Sequence, residues 1–195
     1  GRKRKREIIH KREGRNNTMT LPLAEIYSMQ DDLDTTKTFD VNHRQIIARV
    51  NVAGAVAGTI DFQNIPAYYK NLRLLCSLRG DTAATSVNVT MTINATVSAN
   101  YYRQAITGNN AAAGAAETIA GTSVIQGTIV ANNAPANGFS SMSVLFPDYA
   151  ANIVHSWHGI CHLSRATTTN NQFMYVIGGC LNVQLIITRI TLTPA

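Results

Sequence analysis

Apolar and polar residues alternate with a period of two through much of this chain, the mark of strands with one buried face. The alternation is cleanest over residues 86–97. Val87, Val89, Met91 and Ile93 fall on one side there, and Asn88, Thr90, Thr92 and Asn94 on the other. It recurs over residues 71–79, where Leu72, Leu74, Cys76 and Leu78 share a face and Arg73, Ser77 and Arg79 take the opposite one. Leu75 breaks that polar side and predicts a strand covered in part on both faces. Residues 59–62 alternate as well, and Pro66, which biases Ile65 toward extended geometry, predicts a stop there.

Further strands are expected at residues 45–52, 123–130, 140–146, 173–177, 181–187 and 188–193. The apolar Trp157, Ile160 and Leu163 together with β-rich flanks predict a strand rather than a helix over residues 155–162. Gly178-Gly179 reads as a break between two strands, and residues 108–121, almost all Gly, Asn and Ala, as a flexible loop with room for one helical turn. Arg79-Gly80-Asp81 is an integrin-binding tripeptide in other settings; in a β-rich chain Gly-Asp is ordinary turn chemistry. Helical spacing is confined to Leu23, Ile26 and Tyr27 behind Pro22, a short helix in a linker. The pattern predicts an all-β fold, an antiparallel β-sandwich in its jelly-roll form, over residues 45–195, preceded by an arm and linker over residues 1–44.

Specific residues carry a family resemblance. Ile60-Asp61-Phe62, Ile65-Pro66, Tyr69-Lys70, Leu72 and Leu74, followed by Arg79-Gly80-Asp81, resemble the C-terminal β-rich domain of tailed-bacteriophage virion proteins. The likeness extends to residues 46–50 (IIARV), 91–102 (MTINATVSANYY), 146–150 (FPDYA) and 187–194 (ITRITLTP). Two departures stand out. Asn94-Ala95-Thr96 replaces the family's Asn-Gly-Asp, and Pro194-Ala195 stands where the family continues into a Gly-rich turn and a last strand. The resemblance implies a structural or adhesive, non-enzymatic role in a virion: a head or tail fibre, decoration or baseplate-associated subunit. Its partners would be other copies of itself, as a trimer or larger assembly, and other virion proteins.

Composition changes the picture in one respect. Charged residues make up 14% of the chain, well below the ~25% of an ordinary soluble domain. A surface of small uncharged polar groups suits packing against neighbours better than life as a lone monomer. The charge present is concentrated. Arg2, Lys3, Arg4, Lys5, Arg6, Lys11, Arg12 and Arg15 oppose only Glu7 and Glu13, which accounts for the whole net charge of +6. Such a run stays extended by self-repulsion, and three uses fit it. It is an arm that neutralises nucleic-acid phosphates, an anchor docking into another protein, or a solvated or targeting tail. The first use matches the plan of a small icosahedral coat protein, a basic arm followed by a jelly roll, and that is the alternative to the phage subunit.

Candidate chemistry is sparse. Asp31, Asp32 and Asp34 lack the glycine and terminal glutamate of a calcium loop and read as a solvated turn. His155, His158, Cys161 and His162 are metal-capable, but a strand separates His155 from His158 and Cys161 from His162, so no metal or cofactor is expected. Asp61, Asp81, Glu117 and Asp148 are scattered, and nucleotide-binding and hydrolase motifs are absent, so no catalytic residues are expected. Trp157 and the tyrosines offer stacking faces for a sugar in a receptor-binding variant of the same role. Three widely spaced cysteines, the lack of an apolar segment after the basic run and the lack of a membrane-length run predict reduced thiols and assembly in the host cytoplasm, away from membranes.

Overall fold

The computed structural model describes residues 23–29, 44–51, 58–109, 113–136, 138–165 and 171–194. They form β1 (Leu23–Met29), β2 (Arg44–Asn51), β3 (Ile60–Phe62), β4 (Asn71–Leu78), β5 (Ser86–Ile93) and β6 (Tyr101–Asn109) in the first part of the chain. β7 (Ala113–Gly121), β8 (Val124–Val130), β9 (Ser140–Phe146), β10 (Ile153–Arg165), β11 (Asn171–Leu185) and β12 (Ile190–Pro194) follow. No helix occurs among the described residues, and so none that is long and apolar enough to cross a membrane.

The strands form two antiparallel sheets. One has the order β2-β1-β4-β9-β10-β11-β6-β7, the other β3-β12-β5-β8. From β2 onward the chain changes sheet at every connection except the β6–β7 hairpin and the β9–β10–β11 meander. Each inward face follows from the period of two. β4 buries Leu72, Leu74, Cys76 and Leu78; β5 buries Val87, Val89, Met91 and Ile93; β9 buries Met142, Val144 and Phe146. Together with Phe62, Trp157, Ile177, Leu181, Ile190 and Leu192 they fill one core between the sheets. Each such side chain taken fully from water contributes about 1.5–3 kcal/mol.

Several expectations are corrected. Leu23, Ile26 and Tyr27 lie in a strand, because β2 and β4 pair with both edges of β1 and that tertiary pairing outweighs the helical spacing. Within residues 108–121 the flexible loop gives way to an edge strand, where Ala116, Ala115 and Gly114 of β7 pair with Ala105, Ile106 and Thr107 of β6. The strand expected over residues 86–97 ends at Ile93, since Asn94 and Ala95 take φ of 49° and 53° and reverse the chain. Gly178-Gly179 does not break β11, which pairs with β10 through both positions. A Cβ on Gly179 would stand 2.5 Å from the Trp157 ring and 2.8 Å from the Tyr102 carbonyl. The glycine there serves close packing, not a turn.

Candidate functional site

The eight basic positions proposed to touch nucleic acid or protein, Arg2, Lys3, Arg4, Lys5, Arg6, Lys11, Arg12 and Arg15, lie outside the described residues, as do Asp31, Asp32 and Asp34. The histidine-bearing segment is in view. It is a strand, and alternation sends His155 and Cys161 inward and His158 and His162 outward. His155 is fully buried, with Nε2 2.6 Å from the Leu185 carbonyl oxygen and no partner at Nδ1. Burial pushes the Cys161 thiol up to about 11, partly offset by its contact with the Thr128 carbonyl oxygen at 3.5 Å. Burial raises Cys76 as well, and the Cys161 sulfur adds to that rise. All three cysteines are unpaired. Among the described residues no three His, Cys, Asp or Glu side chains converge as metal ligands would.

Trp157, Tyr101 and Tyr149 turn inward too, whereas Tyr68 is exposed beside the buried Tyr69, their ring centroids 4.5 Å apart. Trp157 is 2% exposed, against Tyr101 at 6.4 Å and Phe146 at 6.2 Å between ring centroids, so it offers no face to a sugar. Tyr101 is buried, its hydroxyl 2.7 Å from the Ile93 backbone nitrogen that donates to it. Burial raises its pKa. Tyr149 is buried and donates to the Pro66 carbonyl, and burial lifts its phenol to about 12.

The polar side chains in view bind this fold to itself. Arg79 of the Arg-Gly-Asp turn donates to the carbonyls of Pro135 at 2.8 Å, Gly138 at 3.0 Å, Asn132 at 3.3 Å and Ala134 at 2.8 Å, closing the loop before β9. A guanidinium held this way is not presented to a receptor. The Asn94 side-chain oxygen accepts from the backbone nitrogens of Thr188 and Arg189, both at 2.9 Å, and its amide donates to the Ile186 carbonyl at 2.6 Å. This joins the turn after β5 to the approach to β12. Asn94→Ala strips two backbone N–H groups of their partner at a positive-φ residue. We expect a loss of ~2 kcal/mol, read by urea unfolding with the single tryptophan as probe. A change under a few tenths of that would refute the role of Asn94.

Asp61 is bridged twice by Arg189, at 2.8 and 2.7 Å, and accepts from the Thr191 hydroxyl at 2.9 Å. The Arg189 guanidinium holds the Asp61 carboxyl down at about 2 from its usual 3.8, helped by Gln63 and Thr191 and opposed by desolvation. A depressed carboxylate stabilises the fold above its unfolded pKa and stops doing so as pH falls through the folded value. The pair therefore acts fully above about pH 4 and fades toward pH 2. Asp61→Asn should flatten this part of the stability–pH curve and leave the rest parallel. Side-chain exposures of 21% and 40% make the effect small and salt-sensitive. A wild-type slope that survives in the variant would count against it.

What the described residues present outward is the far face of the eight-stranded sheet. Register places Leu75, Ser143, Ile160, Val176, Ile106 and Ala115 in one row across six strands. Ile160, Val176 and Ile106 are 53%, 47% and 66% exposed, an apolar stripe at the centre of the face. The next row runs Arg73, Leu145, His158, Gly178, Gln104 and Glu117. Of the apolar positions in these rows the sequence pattern marks only Leu75, which breaks the polar side of β4, and Ile160, which shares the outward phase of His158 and His162. Edge strand β7 is exposed along most of its length on both faces, Ile119 at 67%.

No protein-family model, curated protein or solved structure matches this chain. None of these comparisons links the chain to tailed-phage virion domains.

Proposed function

We propose that this chain is a non-enzymatic structural subunit of a virus particle, a fibre, decoration or baseplate-associated protein of a tailed phage. It assembles through its β-sandwich and is anchored by the basic segment over residues 1–15. One observation carries the reading. In the smaller sheet the order β3-β12-β5-β8 pairs the first of its strands with the last strand of the chain. Opposite it, β4 lies on one side of β9-β10-β11, and the β6–β7 hairpin on the other. This order supports our reading of a jelly roll, in which a three-stranded meander would take the place of one strand and the β1–β2 hairpin would extend one edge. Such double sheets recur in viral coat and lectin domains.

Support also comes from the charged groups in view. Arg79, Arg189 and Asp61 hold strands and loops together, while the centre of the larger outer face is apolar and uncharged. The same strand order favours a second reading, an icosahedral coat protein whose arm neutralises packaged RNA or DNA, because a jelly roll behind a basic arm is that plan.

The test is assembly of the full chain, with and without residues 1–15, in the presence and absence of nucleic acid, followed by light scattering and electron microscopy across salt. Salt-indifferent oligomers that ignore nucleic acid support the phage subunit. Closed shells that require residues 1–15 and dissolve with salt support the coat protein. A monomer under every condition refutes both.

A further inference from the structure

We propose that the outer face of the eight-stranded sheet is a self-complementary interface, on which a second copy of this chain packs about a two-fold axis. The proposal rests on the reading of the protein as a self-assembling subunit and names the surface and its geometry. The axis lies in the interface plane, parallel to the strands, and passes between β10 and β11.

Three observations fix it. First, the axis exchanges the positions of β10 and β11, so Ile160 of one copy lies over Val176 of the other and Val176 over Ile160. This covers an exposed apolar pair at the centre of the face and sets Ile106 of each copy over Ser143 of the other. Such residues are costly to leave in water and define the core of an interface. Second, the row beside them has opposite charges at its two ends. Arg73 stands on β4 and Glu117 on β7, about 24 Å apart across five inter-strand steps. The two-fold reverses the row and sets Arg73 of each copy over Glu117 of the other. Glu117 has no ion-pair partner among the described residues, and Arg73 gives its Nε to the Ser143 hydroxyl at 3.1 Å, which orients the guanidinium on this face. Third, the same row carries a projection and a gap in matching places. His158 is exposed, and directly beside it a Cβ on Gly178 would meet nothing within 4 Å. The exchange drops the imidazole of each copy over the open Gly178 position of the other. Apolar centre, end charges and the projection–gap pair obey one symmetry operation, as an isologous contact requires.

Sedimentation velocity on the full chain tests this, with circular dichroism and thermal unfolding confirming that each variant folds. Ile160→Glu and Val176→Glu place like charges near the axis and should weaken association on the order of tenfold or more. Arg73→Glu and Glu117→Arg should each weaken it by opposing like charges, and the two together should restore it, because the swapped charges again face each other. Filling the gap with Gly178→Trp should also weaken it. Recovery in the double variant supports the two-fold; failure to recover overturns it. Association that persists in Ile160→Glu overturns this face while leaving the assembly reading standing, and loss on Ala115→Pro alone assigns assembly to the β7 edge instead. A wild-type monomer at the highest concentration reached overturns the assembly reading itself.

Discussion

Replacing Gly127 with alanine should remove about 3–5 kcal/mol of folding free energy, a large part of what a domain of this size possesses. Gly127 sits where the register of β8 against β5 slips by one residue, between the pairings Val89 with Gly127 and Thr90 with Ile125. Its φ of 147° lies in a region that side chains rarely enter. The site is also filled from across the sandwich. A Cβ would lie 2.5 Å from both Cβ and Sγ of Cys161 on β10. Two penalties of different origin therefore add, one in the backbone and one in packing. They separate experimentally, because Cys161→Gly in the alanine background removes the collision and leaves the strain. Denaturant midpoints followed by Trp157 fluorescence should show a large drop for Gly127→Ala and partial recovery in the double variant. A single variant within about 1 kcal/mol of wild type would show that β8 can slide away from β10, and would defeat the argument.

Trp157→Ala should cost a similar ~3–5 kcal/mol, for the opposite reason. The indole fills the middle of the core between Tyr101 and Phe146 and lies against the backbone of Gly179, so truncation leaves a cavity that strands on two sides cannot close. Its ring nitrogen is buried without a partner, a burden that phenylalanine lacks. Trp157→Phe should therefore cost well under half as much as Trp157→Ala, both measured by circular dichroism, since the fluorophore is gone. Equal costs would mean that the indole N–H finds a partner in solution.

Where one strand face was to be buried, the chain announced it. The alternation of Leu72, Leu74, Cys76 and Leu78, and of Val87, Val89, Met91 and Ile93, needs no partner to be read, because a period of two has one structural meaning. Residues 155–162 form a strand as their β-rich flanks suggest, although Trp157, Ile160 and Leu163 do not alternate, and the strand places His155 and Cys161 on one face and His158 and His162 on the other. Signals that depend on who lies alongside were misread. The helical spacing in β1, the small residues of β7 and the glycine pair in β11 are ambiguous in isolation. β1 is decided by β2 and β4, β7 by the open edge of β6, and Gly179 by the Trp157 ring that leans on it. Of the aromatic residues that suggested a sugar-binding face, Trp157, Tyr69, Tyr101 and Tyr149 are core while Tyr68 is exposed, since exposure is a property of the packed sheet and not of the residue.

By itself the sequence determined the class of the fold and the faces of its clearest strands, because alternation and turn chemistry are local. It also determined the charge division, a neutral body behind a leader carrying the entire net charge, because counting needs no coordinates. Only the tertiary structure decided the order of strands in the two sheets, the use of Arg79, Asn94 and Asp61 as internal ties, and the row that brings Ile160, Val176 and Ile106 onto one surface. Those depend on pairings between residues tens of positions apart, where hydrogen-bond register, and no local preference, sets which side chains become neighbours.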